Sequence, residues 1–355
     1  MNRGSFKGAL SVFVRRWWAG KGGVIGHVLS VMLAPASWWY GRMLIVHSKA
    51  YERHVSERVN RMSVIPSTTI RVPDLRVISV GNLAVGGTGK TPFAAWVARF
   101  LSEGGTPVAI VLRGYGRDEV LLHRQWSPEV PVEADPDRIV AAERARDAGA
   151  TVAVLDDGFQ HRRLARDLDL VLLAAEDTFP GRLLPTGPYR EPAASLARAD
   201  VVVVTRRTAS SDQALAVVQR AQDVAPSCLV GAVHLAADAW LDLAGEQVAA
   251  PAGDALVVAA VARPDDFREN VAVLLGTEVE LLAFADHHEY CHDDVRRIVA
   301  AANGRSVVVT EKDAVKLAMW ASELPGAHVL TQRIVWELGR DEVEMKIREV
   351  VGGVS

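Results

Sequence analysis

The sequence predicts an α/β fold: a doubly wound, mainly parallel sheet, a smaller C-terminal α/β domain, and an N-terminal membrane-associated helical arm. Three observations predict it. Apolar runs of strand length alternate with helical patterns from about residue 75 onward. A glycine-rich turn ending in Gly-Lys-Thr sits between the first such run and the first helix. The opening 62 residues are basic and rich in aromatic side chains, whereas in the rest of the chain acids outnumber bases.

Taken in order, the arm comes first. Its charged residues are Arg3, Lys7, Arg15, Arg16, Lys21, Arg42, Lys49, Arg53, Arg58 and Arg61, against only Glu52 and Glu57. Trp17, Trp18, Trp38, Trp39 and Tyr40 lie among apolar residues such as Val24, Ile25, Val28 and Met32. Aromatic rings with basic neighbours suit a headgroup layer. A spanning helix needs about 20 apolar residues, and Gly26, His27, Pro35 and Arg42 interrupt this stretch, so an interfacial helix is favoured. A helix packed on the protein's own core is the alternative. No cleavable secretory signal is evident, and two cysteines, Cys228 and Cys291, fit a reducing cytoplasm.

The run 75–80 reads as a buried strand and 92–101 as a helix. Between them lies Gly86-Gly87-Thr88-Gly89-Lys90-Thr91, with Ala84 where the common GxxxxGK[ST] pattern has its first glycine. Glycines let successive N–H groups turn toward one anion, and the helix N-terminus adds its positive dipole end. Lys90 then reaches β/γ-phosphates and Thr91 ligates Mg²⁺. A turn alone needs neither Lys90 nor Thr91. The fold is therefore P-loop NTPase-like.

Further strands are expected at Val108–Leu112, 152–155, 168–173 and 201–205, with a helix over 137–147. In such a sheet, ligands bind at the carboxyl ends of the strands, so Lys90, Gly114 and Asp156 should face one crevice. Residues 228–254 read as an extended, hairpin-like linker. Strands at 255–261, 279–284, 305–310 and 328–330 then suggest a second domain. The expected organisation is arm 1–62, P-loop domain 63–227, linker 228–254 and C-terminal α/β domain 255–355. Net charge of −3 and pI near 6.4 give no electrostatic argument for nucleic acid, and no obligate protein partner is evident.

Val152-Ala153-Val154-Leu155-Asp156-Asp157 ends a strand in two acids, as P-loop proteins place a carboxylate near Mg²⁺; beside a phosphate loop this outweighs the alternative of two acids capping a strand end or the next turn. Gln160 and His161 follow with groups able to orient solvent or metal. In the loop after the second strand, Asp118 could accept a hydroxyl proton and Arg113 or Arg117 could stabilise phosphate charge, although spacing alone favours a solvated charged loop. Asp286-His287 suits an acid–base relay. The pairs His287/Cys291 and His288/His292 have helical spacing for zinc, but no second Cys/His cluster completes a tetrahedral set.

These segments together resemble the tetraacyldisaccharide 4′-kinase family of lipid A biosynthesis. The resemblance runs through Val80-Gly81-Asn82-Leu83, Gly86 to Pro92, Arg113-Gly114-Tyr115-Gly116, Asp156-Asp157-Gly158-Phe159-Gln160-His161, Leu184-Pro185-Thr186-Gly187-Pro188-Tyr189-Arg190-Glu191-Pro192, Ala262-Arg263-Pro264 with Phe267, Phe284 to His288, and Thr310 to Leu317. It implies transfer of the γ-phosphoryl group of ATP to the 4′-hydroxyl of an acylated glucosamine disaccharide 1-phosphate. Catalysis would fall to Lys90, to Asp118 as base and to His287 assisting it. ATP would be held by Gly86, Gly87, Thr88, Gly89, Lys90 and Thr91, and Mg²⁺ by Thr91, Asp156, Asp157, Gln160 and Glu191. The acceptor's acyl chains would keep the enzyme at the lipid surface of the bacterial inner membrane, on its cytoplasmic face. The alternative is a membrane-recruited regulatory NTPase. Glu311-Lys312-Asp313 does not fit a guanine-reading Asn-Lys-x-Asp in spacing or first residue, which favours ATP.

Overall fold

The computed structural model describes residues 13–14, 16–18, 20, 22–58, 69–114 and 116–352. Arg3, Lys7, Arg15, Lys21 and Arg61 of the basic arm, and Tyr115, lie outside them. The arm forms one long helix, α1 (Gly23–Arg58), which continues through Pro35. Gly26, His27, Pro35 and Arg42 interrupt its apolar run without ending the helix. Among the described residues, no helix is long and apolar enough to cross a membrane.

The first half of the chain alternates as expected: β1 (Arg76–Asn82), α2 (Lys90–Glu103), β2 (Val108–Leu112), α3 (Arg117–Trp126), β3 (Val132–Ala134), α4 (Arg138–Asp147), β4 (Val152–Asp156), β5 (Leu168–Ala174), β6 (Val201–Arg206) and α5 (Ser211–Val224). The second half contributes β7 (Leu229–Leu241), β8 (Ala255–Ala259), α6 (Pro264–Leu275), β9 (Glu280–Ala283), α7 (His292–Ala302), β10 (Ser306–Thr310), α8 (Glu311–Leu317), β11 (Ala327–Leu338) and α9 (Arg340–Gly352). Helix α3 occupies what the sequence suggested was a charged loop.

All eleven strands join one sheet, ordered β3-β2-β4-β1-β5-β6-β7-β11-β10-β8-β9. Strand side chains alternate in direction, so a sheet covered on both faces needs apolar residues at nearly every position. Strand β5 shows this directly: Leu168, Leu170 and Leu172 join the core under α2, while Val171 and Leu173 join the core under α5. In the second half, Leu256 and Val258 of β8 face α7 and Val257 faces α6.

Leu229–Leu241 run as one 13-residue strand within the sheet, and only its end turns back as a short hairpin, with Leu241 opposite Gln247 and Val248 N donating to Trp240 O at 2.9 Å. The first part of β7 pairs parallel with β6, ending at Arg206 opposite His234, and the strand pairs antiparallel with β11 over most of its length. Strand β10 joins the far end of β11, with Thr310 opposite Leu330, itself opposite Trp240. The two parallel half-sheets thus attach at opposite ends of a β7/β11 ribbon and point their carboxyl ends at each other. About five ribbon residues separate those ends, roughly 17 Å at the rise of an extended strand. The boundary at 255 is also crossed: Val343 and Ile347 of α9 pack into the core of the first half.

Candidate active site

This topology builds one cavity of about 480 Å³ from both half-sheets and the ribbon floor between them. The phosphate loop lines one wall. Gly89 precedes α2 at φ +85°, a left-handed conformation that favours glycine. A Cβ there would also come within 2.6 Å of Leu235 on the ribbon, so only glycine lets the loop close against the floor. Thr88 is buried, its hydroxyl accepting from Asn82 Nδ2 at 2.8 Å and its carbonyl from the Thr205 hydroxyl at 2.9 Å. The loop is thereby pinned to the ends of β1 and β6.

Lys90 and Thr91 open α2 and face the cavity. Lys90 Nζ stands 3.5 Å from Asp157 Oδ1. Burial pushes the Asp157 carboxyl up, but the charges of Lys90, Arg190 and Arg138 outweigh it and hold the group below its ordinary value. Asp156 is buried, and its Oδ2 pairs with Nε2 of the fully buried His123 at 3.0 Å. Its Oδ1 has no hydrogen-bond partner among the described residues, nor does Gln160 Oε1.

The expected metal set divides. Thr91, Asp156 and Asp157 line the cavity, whereas Gln160 and Glu191 do not. Gln160 Nε2 donates to Asn82 O at 2.7 Å and to Glu191 Oε1 at 3.1 Å, while Arg198 donates to Glu191 Oε2 at 2.8 Å. With both oxygens engaged, Glu191 braces the loop behind the site. Among the described residues, no three His, Cys, Asp or Glu side chains cluster as a metal site. The helical-spacing pairs considered for zinc point elsewhere: His288 bonds Asp294, and His292 bonds Glu323.

The two halves also meet at another part of the cavity, at His287. Asp118, in the first turn of α3, is fully buried at 1% side-chain exposure, and both its oxygens lie within 3.2 Å of His287 Nδ1. His287 is 41% exposed and lines the cavity. Its backbone sits at φ +59°, a strained setting for a non-glycine residue that occurs disproportionately at functional sites. The order of these two groups is therefore imidazole outermost and carboxylate behind, although the sequence pointed to Asp118 as the group meeting the hydroxyl. Burial pushes Asp118 up, but the hydrogen bond from His287 and the charges of Lys312 and Lys316 pull it well below the usual carboxylate range. The same hydrogen bond raises His287.

Several cavity residues had no role in the sequence reading. Glu119, beside Asp118, is pushed up to about 7 by burial and by the Asp156 carboxylate. Arg207 donates to Gly87 O at 2.9 Å from the end of β6, and Arg263 reaches across from the second half to pair with Asp177. Lys312 Nζ lies 3.2 Å from His287 Nε2. Helix α3 supplies Asp118, Glu119, Leu122, His123 and Trp126 to this region. Acids in its first turn and His123 with Arg124 in its last are the sequence signal from which a short helix could have been read in place of the loop.

The match to known proteins covers nearly the whole described chain. A family model described as Tetraacyldisaccharide-1-P 4'-kinase matches residues 29–120 and 118–351. A tetraacyldisaccharide 4'-kinase of Anaeromyxobacter sp. (strain K) is 35% identical over 340 residues, 85% of each chain. That of Chlorobium phaeovibrioides is 31% identical over 361 residues, 91% of this chain and 98% of its own. Among solved structures, LpxK from Aquifex aeolicus in complex with ATP superposes with a TM-score of 0.65 at 26% identity, covering 91% of this chain and 99% of that one. Fold, cavity and sequence agree, and the chain belongs to the tetraacyldisaccharide 4′-kinase family.

Proposed function

We propose that the chain transfers the γ-phosphoryl group of ATP to the 4′-hydroxyl of a tetraacylated glucosamine disaccharide 1-phosphate, a late step of lipid A biosynthesis. The observation that carries this is one cavity lined both by the phosphate loop and by His287, with Asp118 bonded behind the imidazole. Phosphoryl transfer needs in-line positioning and charge stabilisation more than covalent chemistry, and the two facing half-sheets supply both.

In this mechanism the loop N–H groups from Gly86 to Gly89 and the α2 N-terminus bind the phosphates, and Lys90 offsets their charge. His287 orients the acceptor hydroxyl and takes its proton, while Asp118 holds the imidazole and stabilises its protonated form. The oxygen-rich wall fits a hard divalent cation: Thr91 and the unpartnered Asp156 Oδ1, with Asp157 beside them, would hold Mg²⁺, leaving its remaining positions to phosphate and water. Such a cation supplies charge neutralisation between the β- and γ-phosphates. A kinase domain over 63–227 and a second domain over 255–355, flanking the 228–254 segment, remain part of this proposal.

The test is transfer of radiolabelled γ-phosphate from ATP to the disaccharide lipid. Phospholipid product is expected. Hydrolysis that ignores the lipid and yields no phospholipid would instead indicate a regulatory NTPase.

We also place the arm on the cytoplasmic surface of the inner membrane. One face of α1 docks on the protein: the Ser37 hydroxyl and Thr186 hydroxyl lie 2.8 Å apart, and Tyr40 OH donates to Arg190 O at 2.9 Å. The rest exposes Val24, Ile25, Val31, Met32, Trp38 at 66% and Trp39 at 64%, an apolar surface larger than water-facing helices ordinarily carry. Replacing Trp38 and Trp39 together by glutamine should weaken vesicle binding on the order of tenfold or more, with turnover on detergent-dispersed acceptor unchanged. Unaltered co-sedimentation with vesicles would refute the membrane role of this face.

A further inference from the structure

Lys316 is a buried cation that the mechanism above leaves unused. Its side chain is 3% exposed, and an ammonium in that setting is costly unless paired and hydrogen-bonded. Its Nζ donates to His288 O at 3.0 Å, stands 3.5 Å from Asp313 Oδ1 and 3.8 Å from Asp118 Oδ2, and lies 5.3 Å from the Tyr290 ring centre. Asp313 is already well satisfied. It accepts from Ala260 N at 3.1 and 3.2 Å, from Tyr290 OH at 2.9 Å and from the Thr310 hydroxyl at 2.7 Å. Asp118, from the other half of the molecule, is the carboxylate that the Lys316 charge serves across the interface. Lys312, one turn earlier on α8 and so on the same helix face, places its Nζ 3.6 Å from the same Asp118 oxygen.

We infer that Lys316, held by the Asp313–Tyr290 network, is a positioning residue of the phosphoryl-transfer reaction: it keeps Asp118 ionised and turned toward His287, and so sets how readily the pair gives up its proton. This rests on the Asp118–His287 reading above. The charged and titratable groups around the pair are Glu119 on α3, Asp286 beside His287, Tyr290, and Lys312, Asp313 and Lys316 on α8. Before Glu119 is counted, the two carboxylates of this set, Asp286 and Asp313, are matched by only the two ammoniums of Lys312 and Lys316. Removing either lysine therefore favours retention of a proton by the imidazole.

Lys316→Met should move the acidic limb of the kcat/KM–pH profile upward by about one pH unit. On the acid side of the limb this lowers kcat/KM about tenfold, activity recovers above the displaced limb, and KM for ATP stays within about twofold because the phosphate loop is untouched. Lys316→Arg should restore most of the wild-type limb. A wild-type limb in folded Lys316→Met overturns the inference, and so does a uniform loss at every pH with a lower melting temperature, which marks a packing role only. Should Lys316→Met fail to fold, Tyr290→Phe removes one hydrogen bond from Asp313, which then draws the Lys316 ammonium away from Asp118. A smaller upward shift is expected, and an unchanged limb overturns the inference. His287→Ala separates the two readings. If that folded variant keeps the wild-type limb, the Asp118–His287 assignment falls and this inference with it; if it loses the limb while Lys316→Met keeps it, only the role of Lys316 falls.

Discussion

Lys90→Ala is expected to reduce kcat/KM for ATP by about 10³-fold, or about 4 kcal/mol of transition-state stabilisation, with the fold intact. Lys90 opens α2 beside Gly89 and faces the cavity, so its ammonium meets the phosphates from inside a water-poor wall, where charge stabilisation is strongest. Its ion-pair partner, Asp157, keeps the neighbouring cations Arg190 and Arg138 when Lys90 is removed. No buried carboxylate is stranded, and the melting temperature should move by only a few degrees. Lys90→Arg should not restore activity, since a planar fork replaces a compact point charge in a loop pinned at Thr88. Steady-state kinetics with ATP, alongside circular dichroism, decide the matter. Wild-type turnover in folded Lys90→Ala would remove this lysine from the mechanism.

The phosphate loop was legible because its requirements are local. Gly89 must be glycine for its left-handed φ and for the approach of Leu235, and strand, turn and helix follow within thirty residues. Strands β1, β2, β4, β5 and β6 were legible because burial on both faces writes continuous apolar runs. Strand β7 was not. Its centre, Ala236-Ala237-Asp238-Ala239, has weak strand propensity, and its register comes from β11, about ninety residues away, as in the Thr331 hydroxyl that accepts from Ala239 N. The order of Asp118 and His287 was hidden for the same reason, since the two are 169 residues apart and meet only when the half-sheets face each other. Glu191 carries the chemistry of a metal ligand, but only coordinates reveal that Gln160 and Arg198 occupy both oxygens.

His287→Ala and Asp118→Asn should each lower kcat by about 10³-fold, and the double variant should be little worse than either, because a base and the carboxylate that orients it act as one unit. The pH dependence gives the sharper signature. His287 is raised above 6.5 by its bond to Asp118, so wild-type activity should climb with pH through that raised value as the neutral imidazole forms. Stability runs the other way. A raised histidine contributes stability fully present below its unfolded pKa and lost as pH rises through the folded one, whereas the depressed Asp118 contributes stability present above its unfolded pKa and lost as pH falls. The contact between the halves is therefore strongest from about pH 5 to 6.5, on the acid side of the activity rise. Thermal melting against pH should show that stabilised window in the wild type and its loss in His287→Ala, whose exposed side chain leaves little cavity behind. A folded His287→Ala that retains both the activity limb and the stability window would break the link between this contact and the chemistry.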